Sequence, residues 1–169
     1  PINDAYSADV FDKYLEMIDP GKRFFLQSEV DEFSKHRTKL DDYLNRGDLT
    51  FYKLTVDKLY DRTAEIEKYS QEILSKPINF EENDELILEP KLKKYPQNQE
   101  ELKNEWKKFI KYNILQEIET LNAKEETQRE KKDSVNRLKL KDTIKLEILT
   151  PAQKQVKATE EVKDLMTSM

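Results

Sequence analysis

The chain has 169 residues, 38% charged and 36% hydrophobic, with 30 Lys and Arg against 35 Asp and Glu and a formal net charge of −5. No cysteine, one histidine and two glycines exclude disulfide frameworks, thiolate zinc sites, multi-histidine metal centres, dinucleotide fingerprints and Walker loops. The acidic balance argues against a nucleic-acid binder, the lack of an apolar run of about 20 residues against a membrane span, and the aromatic content against disorder.

Mixed charge, little glycine and regular apolar spacing predict an all-α fold, an irregular helical bundle with a long proline-punctuated loop at about 77–97. In chain order, Ser7 is placed to cap a first helix, with Asp9 in its first turn. Val10, Phe11, Tyr14, Leu15 and Ile18 form its apolar stripe, and Asp19-Pro20-Gly21 stops it. Arg23-Phe24-Phe25-Leu26 reads as a connector anchored in the core rather than an exposed docking patch, because such patches are uncommon on monomers. A second helix opens at Ser28, with Asp31 as an acidic relative of the capping box. Val30, Phe33, Arg37, Leu40 and Leu44 follow at 3,4 spacing. Gly47 is placed for a C-cap and Asp48 for the next N-cap, a junction tight enough to make the flanking helices antiparallel neighbours.

The third helix is expected over about 49–75, ending before Pro77, with Tyr52, Val56, Leu59, Tyr60, Thr63, Ile66 and Ile73 at helical spacing. Pro77, Pro90 and Pro96 punctuate an ordered loop, pinned by Phe80 and Ile87 and packed across helix ends. Asn98 and Glu101 form a capping box for a fourth helix. Its apolar face is Leu102, Trp106, Phe109, Ile110, Ile114 and Ile118, and it persists to about residue 121 or further. Residues 122–134 are a charged linker or a helical extension, with the charge spacing favouring helix. In residues 135–149, Leu138, Leu140, Ile144, Leu146 and Ile148 nearly alternate as a strand would, while Leu140, Ile144 and Ile148 also fit one helix face. With no obvious partner strand, helix is the reading adopted. Thr150-Pro151, with Gln153 completing the box, opens a last helix carrying Val156, Thr159, Val162 and Met166. The organisation expected is a helical domain over 1–121, a linker or extension over 122–134, and a further helical segment over 135–169, incomplete at its C-terminus. Pro1 without an initiating methionine, and no structural stop at Met169, point to an excised piece of a longer chain.

His36 lies one turn after Glu32, but a di-metal bundle needs repeated Glu-x-x-His pairs, and a surface i,i+4 pair is the reading adopted. Ser7 and Ser28 read as caps, and no nucleophile elbow is present. Asp41-Asp42, Glu81-Glu82 and Glu125-Glu126 are sequence neighbours, which point about 100° apart on a helix and do not converge. The lysine-rich stretch from Lys131 to Lys145 is interleaved with Asp133 and Asp142 and reads as a solvated face. No catalytic, cofactor-binding or metal residue is expected. Taken alone, the residues describe a helical module for interaction.

The run Ser7-Ala8-Asp9-Val10-Phe11-Asp12-Lys13-Tyr14-Leu15, then Ile18-Asp19, Arg23-Phe24-Phe25-Leu26 and Ser28-Glu29-Val30-Asp31-Glu32-Phe33, resembles the N-terminal domain of the tail-specific proteases, or C-terminal processing peptidases. The stretch from Gly47 through Phe51-Tyr52 to Leu74-Ser75-Lys76-Pro77 continues the similarity, and Asn98 to Trp106 looks like the family's next segment. Beyond about Leu115 the resemblance is weak. It implies the N-terminal helical domain of a secreted, typically periplasmic, serine endopeptidase that trims or degrades proteins from their C-termini. In that family the domain precedes a PDZ domain that recognises the substrate's C-terminal end and a protease domain with a serine–lysine dyad. In some members helical domains cradle the protease core and dock an adaptor lipoprotein that delivers substrates. The matching region lies upstream of the dyad, so no catalytic residue is carried over. The resemblance thus implies a non-catalytic part whose partners are the downstream PDZ and protease domains, substrates and an adaptor lipoprotein, with no nucleic acid. The alternative is an independent helical protein–protein interaction module.

Overall fold

A computed structural model describes residues 3–137 and 148–168. Within them the fold is all-α: α1 (Asp4–Ile18), α2 (Gln27–Ser34), α3 (Leu40–Arg46), α4 (Thr50–Leu74), α5 (Gln99–Arg137) and α6 (Pro151–Thr167), with no strand among the described residues. The expected helical face within 135–149 falls largely outside the described residues.

Two apolar clusters organise these helices. The first gathers Phe11 and Leu15 of α1, Phe25, Val30 and Phe33 at α2, Leu40 of α3 and Phe51 of α4. The second joins Leu26 and Ile66 to Leu102, Trp106, Ile110 and Ile114 of α5 and Ala158, Val162 and Met166 of α6. The connector Arg23–Leu26 bridges both, since Phe25 is buried in one and Leu26 in the other. Its assignment to the core is therefore correct. α6 presents residues 158, 162 and 166, at the 3.6 period, to α4 and α5. Val156, expected on that face, is exposed, and Ala158 takes the inward position.

The start of α1 differs from expectation. Asn3 caps it, its Oδ1 accepting from Tyr6 N at 3.1 Å. Ser7 is buried inside the helix, and its hydroxyl works across space. Oγ donates to Asp41 Oδ1 at 2.7 Å and accepts from Asp41 N at 2.9 Å. A serine of one helix thus satisfies a free first-turn N–H of another, and α3 packs on α1.

The expected second helix is two helices. Backbone N–H groups of Lys35, His36 and Arg37 turn to carbonyls three residues back, and the chain re-enters helix at Leu40. The expected capping box is also displaced: α2 begins at Gln27, and Glu29 rather than Asp31 reaches back, accepting from Leu26 N at 2.9 Å. The expected neighbour contact with the long helix is made by α2 on α4, while α3 packs on α1 instead.

Gly47 closes α3 in the left-handed region at φ 63°, its N–H bonded to the last turn, and Asp48 Oδ1 accepts from Thr50 N at 2.8 Å. Open space surrounds the position of an added Cβ, so the strain of Gly47→Ala is purely conformational. Gly47→Ala is expected to lower stability by about 1 kcal/mol, read as a shift in urea midpoint. An unchanged midpoint would contradict the strain.

α4 follows the expected span, but its buried face is rotated from the one read by periodicity. Phe51, Thr55, Arg62, Ile66 and Ser70 point inward, whereas Tyr52 and Tyr60 are exposed. Polar Thr55 and Arg62 occupy core positions because each has partners there. Thr55 Oγ1 shares a hydrogen with Tyr14 Oη at 2.7 Å, and Arg62 pairs with Glu29.

α5 opens at the expected box, with Asn98 Oδ1 accepting from Glu101 N at 2.9 Å, and continues as helix through 122–137. α6 opens at the expected Thr150-Pro151-Gln153 box, with reciprocal bonds of 2.8 and 3.2 Å. Lys154 and Leu149 N both bind Glu125, fastening the start of α6 to α5.

Candidate docking surface

The ionisable groups of the interior are assembled into supports. Asp19, buried at the end of α1, accepts the backbone N–H groups of Arg23, Phe24 and Phe25 at 2.7, 3.1 and 3.1 Å. Burial pushes its carboxyl above the ordinary range, opposed by those three donors, which favour the charged form. The connector it shapes lays Arg23 over the Phe109 ring at 3.8 Å and offers the Arg23 carbonyl to the Trp106 indole N–H at 2.7 Å. Lys93, also buried, reaches Glu105 at 3.1 Å, and Lys22 Nζ donates to the Lys93 carbonyl at 2.8 Å. Glu29 and Arg62 form a buried bidentate pair, with N···O distances of 3.0, 3.1 and 2.8 Å.

Two surfaces rest on these supports. One is an apolar cleft of about 190 Å³ where α1, α3 and α4 meet. Val10, Tyr14, Tyr43 and Phe51 form its floor, and Leu44, Leu49 and Tyr52, which are 67%, 58% and 55% exposed, rise at its rim. Three exposed apolar side chains around Gly47 form a contiguous patch, which single surface apolar residues do not.

The other surface is the loop between α4 and α5. Ile78 and Phe80 pack on the second cluster, so Phe80 is an anchor as expected. Ile87, expected as the second anchor, is 43% exposed. Its place is taken by lysines of α5. Lys111 Nζ donates to the Glu82 carbonyl at 2.7 Å and to Asp84 Oδ2 at 2.6 Å, and Lys107 approaches Glu82 at 3.5 Å. The far end is held by Lys93 and by Gln27 N donating to the Pro96 carbonyl at 2.8 Å.

The Lys111 hydrogen bond holds the Asp84 carboxyl below the ordinary carboxylate range. A lowered folded-state pKa means that the tether stabilises fully above the unfolded value, and loses its contribution as pH falls through the lowered one. Titration of the Asp84 carboxyl by NMR is expected to give a midpoint below the ordinary aspartate value of about 3.9. Lys111→Met should raise that midpoint; an identical midpoint in the variant would show that the tether does not form.

Of the residues singled out for chemistry, Ser7 and Asp41 meet, and the others are taken up by separate partners. His36 does not pair with Glu32; its Nδ1 meets Tyr43 Oη at 2.6 Å and its ring leans on Phe51, with centroids 5.8 Å apart. Asp41 binds Ser7 while Asp42 points to Arg46 at 3.5 Å. Glu125 holds Lys154 at 2.7 Å. The hydroxyls of Ser34 and Ser75 donate to carbonyls of their own helices. No group of three or more acidic or histidine side chains is placed to hold a metal ion among the described residues. No described helix is long and apolar enough to cross a membrane. The buried structural supports that sequence reasoning missed are Asp19, Glu29, Arg62, Lys93 and Lys111. Only Asp19 carried a signal, as an Asx residue ahead of a Pro-Gly turn whose side chain bonds downstream N–H groups.

A family model described as the tail specific protease N-terminal domain matches residues 1–168. The chain belongs to this family. The match runs through α6, well past Leu115, where resemblance by motif had faded. A tail-specific protease of Haemophilus influenzae is 30% identical over 115 residues, covering 68% of this chain and 16% of the relative. The chain therefore corresponds to a small part of the length of that curated relative, and the supports described above are the framework of a tail-specific protease N-terminal domain.

Proposed function

We propose that this chain is the non-catalytic N-terminal helical domain of a periplasmic, serine-type C-terminal processing endopeptidase. Its work is to present substrate or an adaptor lipoprotein to PDZ and serine–lysine protease domains that follow it. The observation that carries this reading is the family match over residues 1–168. Two features support it. The buried charged groups are spent on holding helices and connectors, as Asp19, Glu29–Arg62 and Lys93–Glu105 are. Exposed apolar side chains gather at one cleft, as Leu44, Leu49 and Tyr52, and at one loop, as Ile87, Leu88 and Leu92, a grouping that suits docking.

The test is incubation of the purified chain with an unstructured substrate ending in apolar residues. No cleavage is expected. Cleavage that disappears when one of the chain's own serines is replaced would overturn the non-catalytic assignment. In the gene, a reading frame continuing past Met169 into PDZ and protease sequence is expected, and a stop codon there would leave an independent interaction module.

A further inference from the structure

The loop between α4 and α5 contains a stretch of polypeptide without backbone partners. Residues 83–89 run with no helix, turn or bend. Among the described residues no hydrogen bond reaches the backbone of residues 83–88, although Leu92 N and Lys93 N bond back to Glu89 and Pro90 just beyond. At the centre stands the apolar run Leu86-Ile87-Leu88, built around the β-branched, strand-favouring Ile87, with Ile87 and Leu88 43% and 47% exposed. Both ends of the stretch are fixed, by Lys111 on Asp84 and by Lys93 on Glu105. A segment without turn or bend, with unpaired backbone N–H and C=O groups and exposed apolar side chains, offers a partner the groups that an edge strand offers.

Charge states what that partner is. Residues 81–89 carry Glu81, Glu82, Asp84, Glu85 and Glu89 and no basic residue. Glu82 and Asp84 pair with α5, whereas Glu81, Glu85 and Glu89 join no ion pair among the described residues. Antiparallel pairing with a second copy centred on Ile87 sets Glu85 across from Glu89 of that copy, and like charges directly opposite destabilise a sheet. Self-association is thus opposed, and an edge strand with Lys or Arg flanking apolar residues is favoured. An exposed apolar strand edge is an aggregation hazard unless it is covered in the intact protein, which points to a partner that is always present. The curated relative has the length to supply one, since the matched stretch is 16% of it.

We infer that residues 84–88 add as a strand to the edge of a β-sheet elsewhere in the same long protein, with basic side chains of that edge facing Glu85 and Glu89. This rests on the proposed function, and deepens it by naming where the domain attaches. The experiment compares backbone amide exchange in the 169-residue chain and in the complete protein. Amides 85–88 are expected to exchange freely in the first and about a hundredfold more slowly in the second. Ile87→Pro, which removes a ladder donor, should abolish that slowing in the complete protein, whereas Leu92→Ser in the same loop should leave it intact. Slowing elsewhere on the chain with 85–88 still within about threefold of free exchange would overturn the strand pairing and spare the proposed function. No change anywhere on residues 1–168 would overturn both.

Discussion

Replacing Trp106 by alanine is expected to destabilise the domain by about 3–5 kcal/mol, the range for removing a fully buried aromatic. The ring is 1% exposed and lies edge-on to Phe24 and Phe109, with centroids 5.9 and 5.6 Å away. Its loss empties the meeting point of α5 and the Arg23–Leu26 connector, and also strands the Arg23 carbonyl that accepts the indole N–H. Trp106→Phe keeps most of the volume but not the donor, and about 1–3 kcal/mol is expected for the acceptor left buried. Trp106 is the sole tryptophan, so far-UV circular dichroism in guanidinium must report both transitions. A Trp106→Ala loss below about 1.5 kcal/mol would mean that the connector closes over the gap.

Glu29→Ala is expected to be of similar severity, about 3–5 kcal/mol, because it leaves the Arg62 guanidinium buried without its main partner. Arg62 also touches Glu65, but that carboxylate is more exposed and compensates only in part. The decisive companion is the double variant Glu29→Met with Arg62→Leu. Removing both charges and keeping volume should recover most of the loss, since the pair's attraction largely offsets its desolvation. Guanidinium midpoints of the single and double variants check this. A double variant as unstable as the single one would place the cost in packing and in the Leu26 N–H that Glu29 also satisfies.

The sequence displayed its helices wherever periodicity and capping chemistry agreed. Asn98-Glu101, Thr150-Pro151-Gln153 and Gly47 each mark their boundary by a local bond that spacing alone dictates. It was silent wherever a polar residue works over distance. Ser7 has the composition of a cap and is one, but for Asp41, 34 residues away. The stripe Val30–Leu44 is compatible with one helix, and only the demand of α1 for α3 and of α4 for α2 explains the break at 35–39. The α4 stripe misled because tyrosines count as apolar in a pattern, while Thr55 and Arg62 do not count and are nevertheless inside. The candidate docking surfaces suffered the same blindness. Ile87 looks like an anchor by composition, yet the loop is held by Lys107 and Lys111, residues that read as solvated helix surface.

α5 has a mechanical consequence. At about 1.5 Å per residue, its 39 residues make a rod of about 58 Å. The buried side chains Leu102 to Leu121 clamp one part of it, and the Lys154–Glu125 bridge is the last described fastening along it. Residues 126–137 continue the helix for about 18 Å past that bridge. A tilt of about 10° in the clamped part moves the tip by about 3 Å relative to the pivot at Glu125. By geometry alone, a straight helix of this length magnifies a small change of tilt near Glu125 into a larger displacement at Arg137.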